Sequence, residues 1–328
     1  MNVVRKNNWI FVLALTGLLI CSLHNATAST ESTASINRGD RVGTYQIESG
    51  DSSVTIPFEM FGKNIRMKGK INGEECYVLL DNGSLWDPLL FFGSPKVDSL
   101  DLEIDGSTLV RESTAATASG IKLEFDGLIL TDQDAVILPY DPDLPNPWDG
   151  ADLQVSSAFF KNFVVEIDFD KEVIRLTEPE SYTYRGAGEV LKMSPGIFDS
   201  RTVQASIKTH EDKSVSLSFL LDLGGIHDLY IPIGSDKDIS LPPDARLETL
   251  GIGGFGASTG HVGTVKEFRI GKYSLDNVRA AYVAVAEGQD VYGNTMIGLP
   301  LLQRFKVTFD YLNERMILEP SSRFPTEN

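Results

Sequence analysis

Cysteine is almost missing from these 328 residues, which carry only Cys21 and Cys76. Cys21 lies in the apolar start of the chain, so the body retains one thiol and no internal disulfide is expected. Histidine is also sparse. His24, His210, His227 and His261 are scattered, and no metal-ligand spacing accompanies them, so neither a metal centre nor a cofactor is expected. Basic residues are in short supply, with 29 Lys and Arg against 46 Asp and Glu, a formal charge of −17. Such a surface cannot neutralise phosphates, which argues against nucleic acid as a partner. It also disfavours anionic membranes.

Long apolar runs occur only at the beginning. Arg5 and Lys6 precede the apolar stretch Trp9–Ile20, and Ala26-Thr27-Ala28 offers a small-x-small cleavage site. Residues 1–28 therefore read as a secretory signal peptide, too short in its apolar part for a membrane span. Two alternatives remain: acylation at Cys21, disfavoured by bulky Ile20 before it, and an uncleaved anchor. The expectation is an exported protein, periplasmic or secreted, with no membrane attachment after cleavage. Its 42% hydrophobic content is enough for a core that needs no disulfides. Cys76, inside a strand pattern, reads as a small buried apolar residue.

Helix signals are few and short. Ser156–Phe163 and Leu299–Phe305 suit about two turns each, with Ser156 or Ser157 as a cap in one and Pro300 in the first turn of the other. Residues 29–53, rich in Ser, Thr, Gly and Asp, read as a flexible lead-in. After them come short strands and turns. Ile65–Ile71 alternates, Asn72-Gly73 is a hairpin signal, and the strand resumes at Glu75–Leu80. Further strands are expected at 121–125, 128–131, 135–138, 163–169, 172–177, 202–208, 214–221, 264–270, 278–285, 305–310 and 314–319. The proline-rich Asp141–Gly150 segment reads as a surface loop. The class is mainly β.

What the chain does have is a repeat. Tyr77-Val-Leu-Leu-Asp81-Asn82-Gly83-Ser84 is answered by Ser218-Phe-Leu-Leu-Asp222-Leu223-Gly224-Gly225, with the aspartates 141 positions apart. Val155–Asp168 is answered by Ile297–Asp310, where Phe163 and Phe305 differ by 142. Asp-x-Gly alone is an ordinary turn. The joint recurrence of Leu-Leu-Asp-x-Gly, its spacing and its downstream partner instead predicts two copies of one folding unit. An apolar strand ending in Asp-x-Gly holds a carboxylate rigidly at a tight turn. Two such turns meeting would share a proton, leaving one carboxylate to activate water and the other to protonate a carbonyl oxygen. Asp87 and Asp228, six positions after each candidate, are expected to fix turn geometry.

These phrases, with Ile297-Gly298 and Phe305–Pro320, resemble the two-lobed, single-chain form of the pepsin-like and bacterial retropepsin-like aspartic proteases. The resemblance spans most of residues 54–320. It implies two homologous β-barrel lobes, at 54–180 and 188–320, with a crossing near 180–190 and a tail at 321–328. It further implies a catalytic cleft between the lobes, Asp81 and Asp222 on its floor, and a mobile covering hairpin. Hydrolysis of a protein or peptide substrate without a cofactor would follow, from a monomer. Shared-proton chemistry is that family's known property.

Gly83, Ser84, Gly224 and Gly225 would shape the active loops. The family's usual residue after each Asp is Thr, which braces one loop against the other. Asn82 retains hydrogen-bonding capacity there and Leu223 does not. Ser156 stands where the family prefers the glycine found at 298. A non-catalytic module holding a peptide or exported protein in the same cleft is the alternative. Glu112–Gly120 and Gly251–Gly260 are the candidate flaps. The latter lacks the following helix and lysine of a phosphate loop. Trp86 and Phe255 are candidate cleft-lining aromatics, although packing is the more common role.

Overall fold

A computed structural model describes residues 42–83, 88–100, 102–110, 113–140, 150–253, 256–284 and 295–325. At 58% strand and 7% helix the chain is mainly β. The alternating segment near residue 70 shows how the strands arise. Asn64–Ile71 and Glu74–Leu80 pair antiparallel, with Arg66 opposite Leu79 and Ile71 opposite Glu74. Asn72 and Gly73 close the hairpin with φ of 49° and 92°, the left-handed pair whose twist matches that of the flanking strands.

Among the described residues the strands form two sheets. The nine-stranded sheet follows the order Thr44–Ile47, Leu128–Ile137, Leu89–Phe91, Leu153–Val155, Glu74–Leu80, Asn64–Ile71, Ser113–Phe125, Ile104–Val110, with Glu59–Phe61 added beside Asn64–Ile71. Ser113–Phe125 also pairs with Leu128–Ile137, which closes this path into a barrel. The 13-stranded sheet begins Arg246–Gly253, Gly256–Ile270, Tyr273–Ala284, Leu229–Ile233, Met296–Gly298, Ser214–Asp222, Arg201–Lys208. Pairing of Gly256–Ile270 with Arg201–Lys208 closes a second ring.

Both rings carry the same sequence of parallel and antiparallel neighbours. Glu74–Leu80 runs parallel to Leu153–Val155, as Ser214–Asp222 runs parallel to Met296–Gly298. Leu89–Phe91 and Leu229–Ile233 each run antiparallel to one neighbour and parallel to the other.

Beyond the second ring the larger sheet continues through Glu189–Pro195, Arg315–Pro320, Phe305–Asp310, Val164–Asp168, Val173–Thr177 and Ser53–Pro57. At its middle, Val165 lies opposite Phe309 and Ile167 opposite Val307, so the two downstream phrases of the repeat become adjacent strands. Phe159, Phe160, Phe163, Phe305 and Phe309 are fully buried beneath this seam. The Phe160 and Phe309 rings meet edge to face at 5.5 Å, a favoured aromatic geometry. One continuous apolar core reaches from this seam into both rings.

Four sequence expectations change. The lead-in expected through residue 53 is strand at Thr44–Ile47, paired with Leu128–Thr131. Gln133 holds it there by donating from Nε2 to the Val42 carbonyl at 3.0 Å. Expected strands 128–131 and 135–138 are one continuous strand, Leu128–Ile137. The two helices shrink to single turns, Ser157–Phe160 and Leu299–Leu302. Ser157–Phe160 has no exposed face, and the Ser156 side chain makes no capping hydrogen bond. The expected flap segments are mainly strand: Val110 pairs with Ser113, and Gly253 with Gly256. Residues 141–149, with most of the expected proline-rich loop, lie outside the described residues, as do Ser84, Trp86, Asp87 and Phe255.

Candidate active site

Asp81 follows the last residue of Glu74–Leu80, and its N–H donates to the Val155 carbonyl at 3.2 Å. Asp222 ends Ser214–Asp222 and lies beside Gly298 in the parallel register. Each carboxylate is thus fixed by a central strand flanked on both sides. Each also accepts its own loop's glycine N–H: Gly83 to Asp81 Oδ1 and Gly224 to Asp222 Oδ1, both at 2.8 Å.

The two side chains come together, both carboxyls lying against Gly83 and Gly224, and each perturbs the other's ionisation. Glycine makes that approach geometrically feasible. A methyl group on Gly83 would lie 2.7 Å from Asp222 Oδ1, and one on Gly224 would lie 2.6 Å from Asp81 Oδ2. A larger residue at either glycine would push the opposite carboxylate away.

Asp81 is 6% exposed and Asp222 1%. Burial raises the pKa of both. For Asp81 the Gly83 N–H, the Asp222 side chain and further backbone N–H groups oppose the rise. For Asp222 the negative charge on Asp81 adds to burial and drives its pKa well above the usual carboxylate range. The pair therefore holds one proton over a wide pH interval. Asp222 Oδ2 is buried without a hydrogen-bond partner among the described residues.

The brace between the loops is one-sided. Asn82 Oδ1 accepts the Leu223 N–H at 2.9 Å, and Asn82 Nδ2 donates to the Tyr311 hydroxyl at 3.1 Å. Leu223 contributes its backbone N–H, while its side chain is fully buried in the core. Gly225 is packed close behind the dyad, and its carbonyl accepts the Leu299 N–H at 2.9 Å. At Gly298 an added methyl would overlap the His227 carbonyl oxygen and lie 2.8 Å from that of Gly225. Ser156, by contrast, accommodates its side chain while 1% exposed, and its N–H donates to the Pro88 carbonyl at 3.0 Å.

Three supporting residues were not singled out from sequence. Tyr311 is one. Tyr230 is another, its hydroxyl accepting the N–H groups of Ile226 at 2.9 Å and His227 at 3.3 Å. Arg304 is the third, pairing with Asp228 at 2.8 Å. Burial raises the Asp228 pKa although Arg304 opposes it. A mismatch between the two copies could have revealed Tyr311, because Phe169 occupies the matching position. Tyr230 opposite Leu89 and Arg304 opposite Asn162 are mismatches too, but nothing marks them out among the other differences between the copies.

His227, beside this loop, is 6% exposed. Burial, with the positive charges of Lys63 and Arg279, lowers its pKa to about 4.

No protein-family model matches the chain, and no curated protein matches it in sequence.

Proposed function

We propose that this protein is an exported aspartic endopeptidase built from two pepsin-like lobes, each centred on one of the closed rings. The observation that carries the reading is the pair of buried carboxyls that meet across Gly83 and Gly224, each at the end of an equivalent Leu-Leu-Asp-x-Gly strand. The matching strand order of the rings supports an origin by duplication. Export follows from the signal-like first 28 residues.

In the proposed reaction a water molecule binds between the carboxyls. Asp81, as carboxylate, removes a proton from it while the water oxygen bonds to the peptide carbonyl carbon. Asp222 gives its proton to the carbonyl oxygen, producing a neutral tetrahedral diol. In its collapse Asp81 gives the proton it took from water to the leaving nitrogen, the C–N bond breaks, and Asp222 takes a proton from a diol hydroxyl as the carbonyl re-forms, which restores the starting pair. The dry surroundings strengthen these transfers by keeping the shared proton on the pair. No cofactor enters any step.

The test is incubation of the purified chain with a mixed peptide library from acidic to neutral pH, followed by identification of new peptide termini. New termini are expected from the wild type and from neither Asp81→Asn nor Asp222→Asn, with both variants folded. Equal cleavage by both variants would end the dyad assignment. Peptide retention without new termini at any pH would replace the hydrolase with a binding module.

A further inference from the structure

Among the positions at which the two copies differ, two pairs near the dyad are connected. Asn82 corresponds to Leu223, and Tyr311 corresponds to Phe169, one residue past the repeated Asp168 and Asp310. The two polar members hydrogen-bond to each other across 229 residues of chain. The two apolar members, Leu223 and Phe169, are both buried in the main core. One side of the repeat thus carries a polar couple where the other carries two apolar residues.

The amide orientation follows from donor and acceptor chemistry. The Leu223 N–H can only donate, so Asn82 must turn Oδ1 toward it. Nδ2 then points into the core, where Asn82 is completely buried, and the Tyr311 hydroxyl receives it. Without that hydroxyl the amide would have to leave a buried donor unpaired or rotate away from Leu223. Tyr311 is itself rigidly presented. Asp310, just before it, accepts from Asn313 N at 3.2 Å, Asn313 Nδ2 at 2.9 Å and Arg315 Nε at 2.7 Å. The Tyr311 ring rests on Phe160 at 5.5 Å, and the Arg201 guanidinium lies 5.0 Å from its centroid.

We infer that Tyr311 is a positioning residue for the dyad, acting through Asn82 to hold the Leu223 loop, and with it Asp222, in register with Asp81. The inference rests on the proposed hydrolase reading for its kinetic consequence, but not for its structural one. Its sequence signature is the paired departure from the repeat, polar at 82 and 311, apolar at 223 and 169.

The experiment compares wild type, Tyr311→Phe, Asn82→Thr and the double variant. Phenylalanine keeps the ring contacts and removes only the hydroxyl. Threonine at 82 supplies an acceptor for the Leu223 N–H from a shorter side chain that lacks the Nδ2 donor received by Tyr311. Two quantities are read: the dyad titration, by NMR of carboxyl-labelled aspartate, and kcat and KM on a cleaved library peptide. Tyr311→Phe is expected to melt near the wild-type temperature, to alter the separation of the two dyad titration steps, and to lower kcat about 10- to 100-fold with KM little changed. In the Asn82→Thr background the same substitution is expected to change neither titration nor kcat. A wild-type titration in Tyr311→Phe, or effects of equal size in both backgrounds, would overturn the inference. If the wild type cleaves no peptide, the hydrolase reading alone fails, and the titration comparison still decides the role of Tyr311.

Discussion

Burying two acids side by side has a stability cost that depends on pH, and the sign can be worked out residue by residue. The pKa of Asp222 is raised in the folded chain above its ordinary 3.8. Its contribution to stability is therefore fully present below that ordinary value and is lost as pH rises through the raised one. Each unit of the rise corresponds to about 1.4 kcal/mol. Asp222→Asn removes this term, so its melting temperature is expected to gain on the wild type as pH increases from 3 to 7. A constant difference across that range would contradict the burial account. His227 acts with the opposite sign. Its pKa falls from 6.5 to about 4, so its contribution is complete above 6.5 and is lost as pH falls through about 4. His227→Gln should flatten the acid side of the stability curve by about 2 kcal/mol, read by denaturant titration at pH 4 and 7. The dyad itself was legible in the sequence, because identical neighbours at a fixed spacing make a signal that single turns lack. Tyr230 was not legible. Its role depends on a hydroxyl reaching back four residues to the Ile226 N–H, and such a contact has no sequence pattern.

Strands and turns differ in how well the sequence announces them. The hairpin around Asn72-Gly73 was evident because alternation and turn chemistry are both local. The segment at 113–120, rich in Ala, Ser and Thr, is one arm of a strand hairpin, and some of its small residues serve close packing, with Ala115 and Ala118 each 1% exposed. Thr44–Ile47 was missed because its hold is an edge pairing, the Gln133 and Asn162 side chains on the Val42 carbonyl and the Tyr45 ring against Phe163, contacts with residues far away in sequence that do not show as periodicity. Backbone crowding behind the dyad yields a sharper expectation. Gly298→Ala should destabilise by about 3 kcal/mol and reduce turnover, since backbone carbonyls of His227 and Gly225 surround the added methyl. Ser156→Gly should change stability by no more than about 1 kcal/mol, a backbone-entropy effect. Thermal melts of the two variants check this, and equal losses would show that the crowding is not specific to position 298.

At the scale of the molecule, the seam between Val164–Asp168 and Phe305–Asp310 joins the two rings through main-chain pairing and a shared aromatic core. One cooperative unfolding transition is expected in calorimetry, with calorimetric and van't Hoff enthalpies in agreement. Two separated transitions would mean that the rings fold independently. The larger sheet's order could not be read from the chain, because its neighbours are set by contacts between strands far apart in sequence. Ser53–Pro57, for example, pairs with Val173–Thr177. The single tie from Asn82 to Tyr311 carries a last consequence. Two identical first halves would set Asn82 against Phe169, and two identical second halves would set Leu223 against Tyr311. Neither homodimer recreates the tie, so this contact exists only between the unlike halves of the chain.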